Sequence, residues 1–272
     1  MAHPEGAIRT PRPTGTDRLR QIAVSVSAVV AVVGAFIGSG ALGGESMPEA
    51  SGGAFAADAT PIAPGGPAFA IWSVIYAGLI AYAIWQWLPK QAVADRHRRI
   101  GGWVAASMLP NAAWLLAVQA GVLWLTLVIM ALLLAVLIVA FIAIRRTGPA
   151  GVIDTIVTDG TIGLYLGWIV VATAANVAAV LARSLPRESV GAVDVWAVAV
   201  LVVAGLIGAL LALWDRGRFA PSAAICWGLA WVGVERLTGD LVSVPAAVAA
   251  FAAAAVVLIV TIGARLFSSH RS

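Results

Sequence analysis

The chain contains eight stretches of about twenty mainly apolar residues, separated by short segments that carry most of its charges. A helix of about 20 residues crosses the hydrocarbon core of a bilayer. Only helices and closed barrels can do so, because backbone polar groups must be paired there. We therefore expect an all-α integral membrane protein with about eight transmembrane helices. They are predicted at about 21–42, 67–88, 101–119, 122–144, 158–182, 195–214, 219–236 and 243–266.

Composition supports this class and excludes others. Hydrophobic residues make up 61% of the chain and charged residues 11%, whereas soluble domains carry about 25% charged residues. The 17 Lys and Arg outnumber the 13 Asp and Glu, but they lie in short loops that orient helices. No basic stripe is interleaved with aromatic residues, so nucleic-acid binding is not expected. The single Cys226 excludes an intrachain disulfide framework and a cysteine-based metal site.

Basic residues also predict the orientation of the chain. When eight helices alternate, all of the 17 Lys and Arg except Arg183, Arg187 and Arg236 fall on one side. Positive charge marks the cytoplasmic side, so we expect a multi-pass plasma-membrane protein with both termini in the cytoplasm. Residues 1–19 are expected to form a disordered cytoplasmic segment. The first apolar stretch is too long for a signal peptide and is expected to remain uncleaved.

Aromatic and amide side chains recur at helical spacing inside three of the apolar stretches. Residues three or four positions apart share a helical face. An amide without a partner in hydrocarbon costs several kcal/mol, so the asparagines among them need either a structural partner or a ligand. The candidates are Phe69, Trp72 and Tyr76 in the second helix, Asn111 and Trp114 in the third, and Tyr165, Trp168, Thr173 and Asn176 in the fifth.

If these three faces converge, they form an aromatic cup that opens toward the outer side. The long loop 43–66 would cover it, as loops of this length often do. Flat walls with few hydrogen-bonding groups suit a large planar or apolar ligand. The alternative for Asn111 and Asn176 is a hydrogen bond between helices, and tryptophans near helix ends can be interfacial anchors.

Several functions are disfavoured by what the sequence lacks. Lys90, the only lysine, lies in a loop, so a retinal Schiff base is excluded. His3, His97 and His270 are expected outside the membrane. That excludes a histidine-ligated haem but not a tetrapyrrole held by stacking. No ionisable residue is expected near a helix centre, which argues against proton pumps and ion-coupled carriers. We expect no metal site, no covalent cofactor and no enzymatic activity.

The three motifs together resemble the TspO/MBR family of tryptophan-rich sensory proteins, which are related to the mitochondrial translocator protein. In that family the second helix carries Phe, Trp and Tyr after a proline-rich loop, the third carries N-x-x-W, and the fifth carries P-Y-x-x-W-x-x-x-T-x-x-N. The resemblance covers about 20–182, with Thr173 displaced by one position. The tryptophan that the family has before Phe69 is missing, and so is the proline before Tyr165.

The resemblance implies a five-helix membrane domain over 20–182, with a pocket capped by the first outer loop. Residues 183–272 would then be a three-helix extension. It also implies binding of porphyrins and related hydrophobic ligands by the nine candidate residues, a regulatory role, and often a homodimer. The alternative is a transporter or exporter of hydrophobic small metabolites that uses the same pocket.

Overall fold

The computed structural model describes residues 12–38, 40, 45–46, 49–184 and 193–269. These residues form helices and turns, and no strand occurs among them. A 3-10 turn, Gly66–Ala70, leads into the second long helix, and a π-helical turn, Thr155–Gly160, leads into the fifth. The long helices are α1 (Gly15–Gly38), α2 (Ile71–Trp85), α3 (Asp95–Gln119), α4 (Leu123–Thr147), α5 (Thr161–Ser184), α6 (Val193–Trp214), α7 (Phe219–Thr238) and α8 (Val244–Ser269).

All of these long helices except α7 are long and apolar enough to cross a membrane, when α2 and α5 are taken with the turns that precede them. The α7 helix nevertheless runs from one end of the bundle to the other. Arg218, just before it, contacts Asp159, and Arg236, near its end, contacts Thr60 in the loop after α1. It packs against α5 and α8. The prediction of an all-α membrane protein with about eight spans is confirmed.

The helices form two groups that share one seam. In the first, α3 packs between α1 and α4, α4 packs against α5, and α2 contacts α1 and α5. In the second, α8 packs between α6 and α7, and α7 joins the first group through α5. This seam is tight, because a Cβ atom on Gly167 would overlap the Pro221 carbonyl. Residues 185–192 lie outside the described part, so the division after residue 182 stays a prediction.

Two helices begin earlier than the apolar pattern predicts. The α1 helix starts at Gly15, and Thr14 and Asp17 cap it reciprocally, with Thr14 N donating to Asp17 Oδ2 at 3.0 Å. Part of the segment expected to be disordered is therefore helical, and residues 1–11 are outside the described residues. The α3 helix starts at Asp95 instead of 101, because Arg96 and His97 in its first turn are buried and Arg96 is paired. There Arg96 Nε lies 3.0 Å from Asp154 Oδ2.

The two ends of the bundle differ in character. One end carries residues 49–65, called the lid below. The opposite end, called the arginine end, carries Arg145, Arg216, Arg218 and Arg265. The first turn of α1 and the last turn of α8 both lie at the arginine end, where Asp17 accepts a 2.9 Å bond from Arg98 Nε. The assignment of this end to the cytoplasm stays a prediction.

Candidate functional site

The aromatic faces of α2 and α5 meet as the spacing predicted. The ring centroids of Phe69 and Trp168 are 5.8 Å apart, and those of Trp72 and Trp168 are 6.3 Å apart, both edge to face. Trp72 also stacks on Tyr76 at 5.5 Å and meets the edge of Tyr165 at 5.7 Å. Such pairs contribute about 0.5–1.5 kcal/mol each beyond the area they bury. They hold α2 against α5 at a defined rotation.

The two predicted amides connect α3 to its neighbours. Asn111 Nδ2 donates to the Tyr76 hydroxyl at 2.7 Å. Trp114 Nε1 donates to Asn176 Oδ1 at 3.1 Å, and Asn176 Nδ2 donates to Thr126 Oγ1 at 3.2 Å. These bonds join α3 to α2, α3 to α5, and α5 to α4. Each amide therefore has the interhelical partner that the structural alternative predicted.

A small cavity remains between these helices and the lid. Its volume is about 50 Å³. Four of the nine predicted residues line it, namely Phe69, Trp114, Trp168 and Asn176. The remainder of its wall comes from the lid residues Ala54, Phe55, Thr60, Ala63 and Pro64 and from Ala172, Ala175 and Ala179 of α5. The cavity thus lies beneath the loop that the sequence predicted as its cover.

Among the predicted aromatic residues, only Trp168 has a fully buried polar atom without a hydrogen-bond partner in the described part of the chain. Its side chain is 1% exposed and lines the cavity, and the atom is the indole Nε1. A buried indole N–H normally finds an acceptor, and leaving a buried donor unpaired costs about 1–3 kcal/mol. A ligand acceptor could satisfy this N–H, and the Thr60 hydroxyl, which belongs to another residue of the cavity lining, is also buried without a partner among the described residues.

The lid is fastened by residues that sequence reasoning did not select. Arg236 on α7 is fully buried, and it donates to Ala57 O at 2.5 Å and to Thr60 O at 3.2 Å. Arg183 at the end of α5 donates to Gly52 O. In the sequence, Arg236 is an arginine near the end of an apolar stretch. Such a residue usually extends its charged group to the membrane surface, so the sequence did not predict a contact with the lid. Both helix groups therefore hold the cover of the pocket, the first through Arg183 and the second through Arg236.

The remaining predicted residues do not line the cavity. Trp72, Tyr76, Asn111 and Tyr165 pack one or two helical turns farther from the lid, and the Tyr165 hydroxyl donates to a main-chain carbonyl of α3 at 3.1 Å. Thr173 is not brought into the site, because its hydroxyl bonds Ile169 O in its own helix at 2.6 Å.

Sequence reasoning missed Phe55 and Thr126. The Phe55 ring lies edge-on to Trp114 at 5.6 Å, but it comes from a Gly- and Ala-rich loop without periodicity. Thr126 is a single hydroxyl in the apolar α4 helix, and it completes the hydrogen bonds of Asn176.

His97 is fully buried in the first turns of α3. The expectation that it lies outside the membrane stays a prediction, since the groups that bury it belong to the protein. Its Nε2 lies 2.9 Å from Gln91 Oε1 and 3.7 Å from Asp154 Oδ1. The charges of this segment are buried because they compensate one another, and apolar periodicity cannot reveal such pairing. His3 and His270 lie outside the described residues. Among the described residues, no group of three or more His, Cys, Asp or Glu could hold a metal ion.

Comparison with known proteins agrees with this architecture. No curated protein and no solved structure matched the chain. A scan against protein families matched residues 21–263 to the family described as TSPO-like protein. The match extends beyond the five-helix region into α6, α7 and α8, and it covers the aromatic pocket, its lid and the arginine that fastens the lid. The chain therefore belongs to the TSPO-like protein family.

Proposed function

We propose that this protein binds a flat hydrophobic ligand of the tetrapyrrole type in the pocket beneath the lid and acts as a sensory or regulatory protein. The observation that carries the proposal is the indole N–H of Trp168, a residue of the aromatic cavity wall, which is buried without an acceptor among the described residues. Residues that serve packing alone are normally satisfied. A ligand with a polar edge would supply the missing acceptor.

The closed pocket is smaller than such a ligand. Its volume is about 50 Å³, whereas pockets for small molecules usually measure about 300–1,000 Å³. Binding therefore requires the lid to move away from α3 and α5. Because Arg183 and Arg236 hold the lid by hydrogen bonds to main-chain carbonyls, these contacts can break and form again without unfolding a helix.

With the lid displaced, the residues around the pocket have separate roles in holding the ligand. Phe69, Trp114 and Trp168 supply flat surfaces for stacking. The Trp168 N–H donates to a carboxylate or another acceptor at the edge of the ligand. Trp72 and Tyr76, which stack on each other, form the floor beneath. Asn111 acts as a positioning residue through its bond to Tyr76.

The arginine end favours a binding protein over an exporter. An exporter of hydrophobic metabolites would need a second exit opposite the lid. At that end Arg96 pairs with Asp154 and Asp159, and Arg218 also contacts Asp159 at 3.0 Å. These ion pairs tie α3, α5 and the start of α7 together. Flux of a porphyrin through proteoliposomes separates the two functions, because only an exporter shows protein-dependent flux.

We place the protein in the plasma membrane with both termini in the cytoplasm, as its arginine distribution predicts, and we propose that it forms a homodimer. Reporter fusions at each terminus test the orientation. Cross-linking in native membranes tests the dimer.

The direct test is a titration with protoporphyrin IX, followed by the absorbance of the porphyrin so that loss of a tryptophan does not alter the readout. Trp168→Phe removes the indole N–H and reduces the stacking surface. We expect it to weaken binding by about 1–2 kcal/mol, or about five- to thirtyfold.

The matched control is Trp196→Phe, which makes the same substitution at a residue that is 64% exposed. We expect this variant to bind as tightly as the wild type. Equal affinities for the wild type and Trp168→Phe, with both proteins inserted and helical, would contradict the proposed site. Failure of the wild type to bind any flat hydrophobic ligand would contradict the proposed function.

A further inference from the structure

A second cavity, of about 310 Å³, lies at the arginine end, away from the aromatic pocket. Three separate elements build it: the last turn of α4, the loop 215–218, and the last turns of α8. Its lining is strongly polar. The lining residues are Arg145, Asp215, Arg216, Arg218, Arg265 and Ser268.

The charges around this cavity are unbalanced. Four arginines line it together with one aspartate. Arg218 is paired with Asp159 at 3.0 Å. Within the described part of the chain, Arg145, Arg216 and Arg265 have no acidic side chain at ion-pair distance. Like charges repel one another, so an anion bound in the cavity would stabilise this cluster of arginines.

Two of these arginines are placed with defined geometry. The Arg145 guanidinium lies over the Trp214 ring, 3.7 Å from its centroid, which orients its planar group. Arg216 has a φ of 64°, a left-handed conformation that disfavours a side chain. Backbone strain of this kind is found at ligand sites, where the surrounding structure maintains it. Gly217 follows with a φ of 72°, and a Cβ atom there would lie 2.5 Å from the Arg265 backbone nitrogen. The loop 215–218 therefore packs closely against the backbone of α8.

Asp215 accepts a backbone hydrogen bond within the loop and offsets only part of the positive charge of the four arginines. Its Oδ1 accepts the Arg218 backbone N–H at 3.0 Å, and its Oδ2 has no hydrogen-bond partner in the described structure. The arginines whose charges stabilise its ionised form are Arg218 and Arg145. The excess positive charge of the cavity thus remains available to a ligand.

The surroundings of the cavity suit the membrane interface. The neighbouring turns expose large apolar side chains, with Trp214 47%, Phe219 55% and Phe267 79% exposed. Guanidinium groups bind phosphate oxygens in pairs, and basic pockets between transmembrane helices bind phosphorylated lipid headgroups. We propose that this cavity binds a phosphate-bearing anion, and that the anion is the headgroup of an anionic phospholipid whose acyl chains lie against the exposed apolar turns.

The test compares two double variants that remove the same charge. Arg216→Gln with Arg265→Gln removes two groups that line the cavity. Arg99→Gln with Arg146→Gln removes two exposed arginines at the same end that do not line it. Native mass spectrometry of the full chain measures binding of phosphatidylglycerol and of phosphatidylcholine with identical acyl chains. Calorimetry in neutral nanodiscs measures binding of inorganic phosphate and pyrophosphate.

We expect wild type to prefer phosphatidylglycerol, the cavity double variant to lose at least tenfold in affinity, and the control double variant to lose less than twofold. Replacing the same two cavity residues by lysine should restore part of the affinity. If only the soluble phosphates bind, and the cavity double variant abolishes that binding, the cavity is a phosphate site. The assignment of the ligand as a lipid headgroup is then wrong. Equal losses in the two double variants, or no preference for any phosphate-bearing anion over phosphatidylcholine, would overturn the proposal.

Discussion

Arg236 offers the sharpest test of the lid, because it is a fully buried cation whose described hydrogen bonds go to lid carbonyls. Arg236→Met keeps most of the side-chain volume and removes every donor. Hydrogen bonds to a charged group contribute about 1.5–3 kcal/mol each. Two are lost here, but removing a buried charge recovers part of that free energy. We therefore expect the closed lid to lose about 2 kcal/mol, which raises the open fraction about thirtyfold.

Hydrogen exchange measures this opening directly. The amide of Ala63 bonds Thr60 O at 3.1 Å, and Thr60 O also accepts from Arg236. Peptides covering 56–63 should therefore exchange faster in Arg236→Met, while peptides from α4 should not change. In stopped-flow mixing, the association rate of protoporphyrin IX should rise by up to the same factor, because the open state is the competent one.

The control for this experiment is Arg146→Met, which makes the same replacement at an exposed arginine at the opposite end. Unchanged exchange over 56–63 in a folded Arg236→Met protein would refute the assignment of Arg236 as the fastening residue. Faster exchange without faster association would refute the lid as the entry route.

Three further outcomes test the packing and the charges. Gly167→Ala should destabilise the protein by about 1–3 kcal/mol in thermal unfolding, because its Cβ would overlap the Pro221 carbonyl, whereas Gly102→Ala, in α3 with open space around it, should be neutral or stabilising. Asn176→Leu should cost about 1–3 kcal/mol, since it leaves the buried Trp114 indole N–H without its acceptor, whereas the Thr126 hydroxyl keeps its bond to Leu123 O. Burial raises the pKa of Asp215 from 3.8 to about 6, so its contribution to stability is greatest below pH 4 and is lost as the pH rises through 6. Asp215→Asn should accordingly stabilise the protein by up to about 3 kcal/mol at pH 8 and by little at pH 4; an equal effect at both pH values would contradict this pKa.

Sequence reasoning was most reliable where one local property decides the structure. The apolar stretches predicted the long helices, and helical spacing placed Phe69, Trp72 and Trp168 on faces that meet. It was least reliable at the helix starts, where the buried side chains of Arg96 and His97 lie close to Asp154, which is far away in the sequence. The lid residues that line the cavity could not be predicted either, because they come from a loop without periodicity.

The sequence by itself determined that the chain crosses a bilayer as helices, since backbone groups in hydrocarbon must be paired within each segment. It also determined which helical faces carry aromatic and amide groups. Only the tertiary structure decided that Asn111 and Asn176 bond to other helices, that the Trp168 N–H has no partner among the described residues, and that Arg236 reaches across to the lid. The reason is physical: helix rotation and separation are set by side-chain packing between segments far apart in the chain, and a shift of an ångström determines whether a donor meets an acceptor or faces a void.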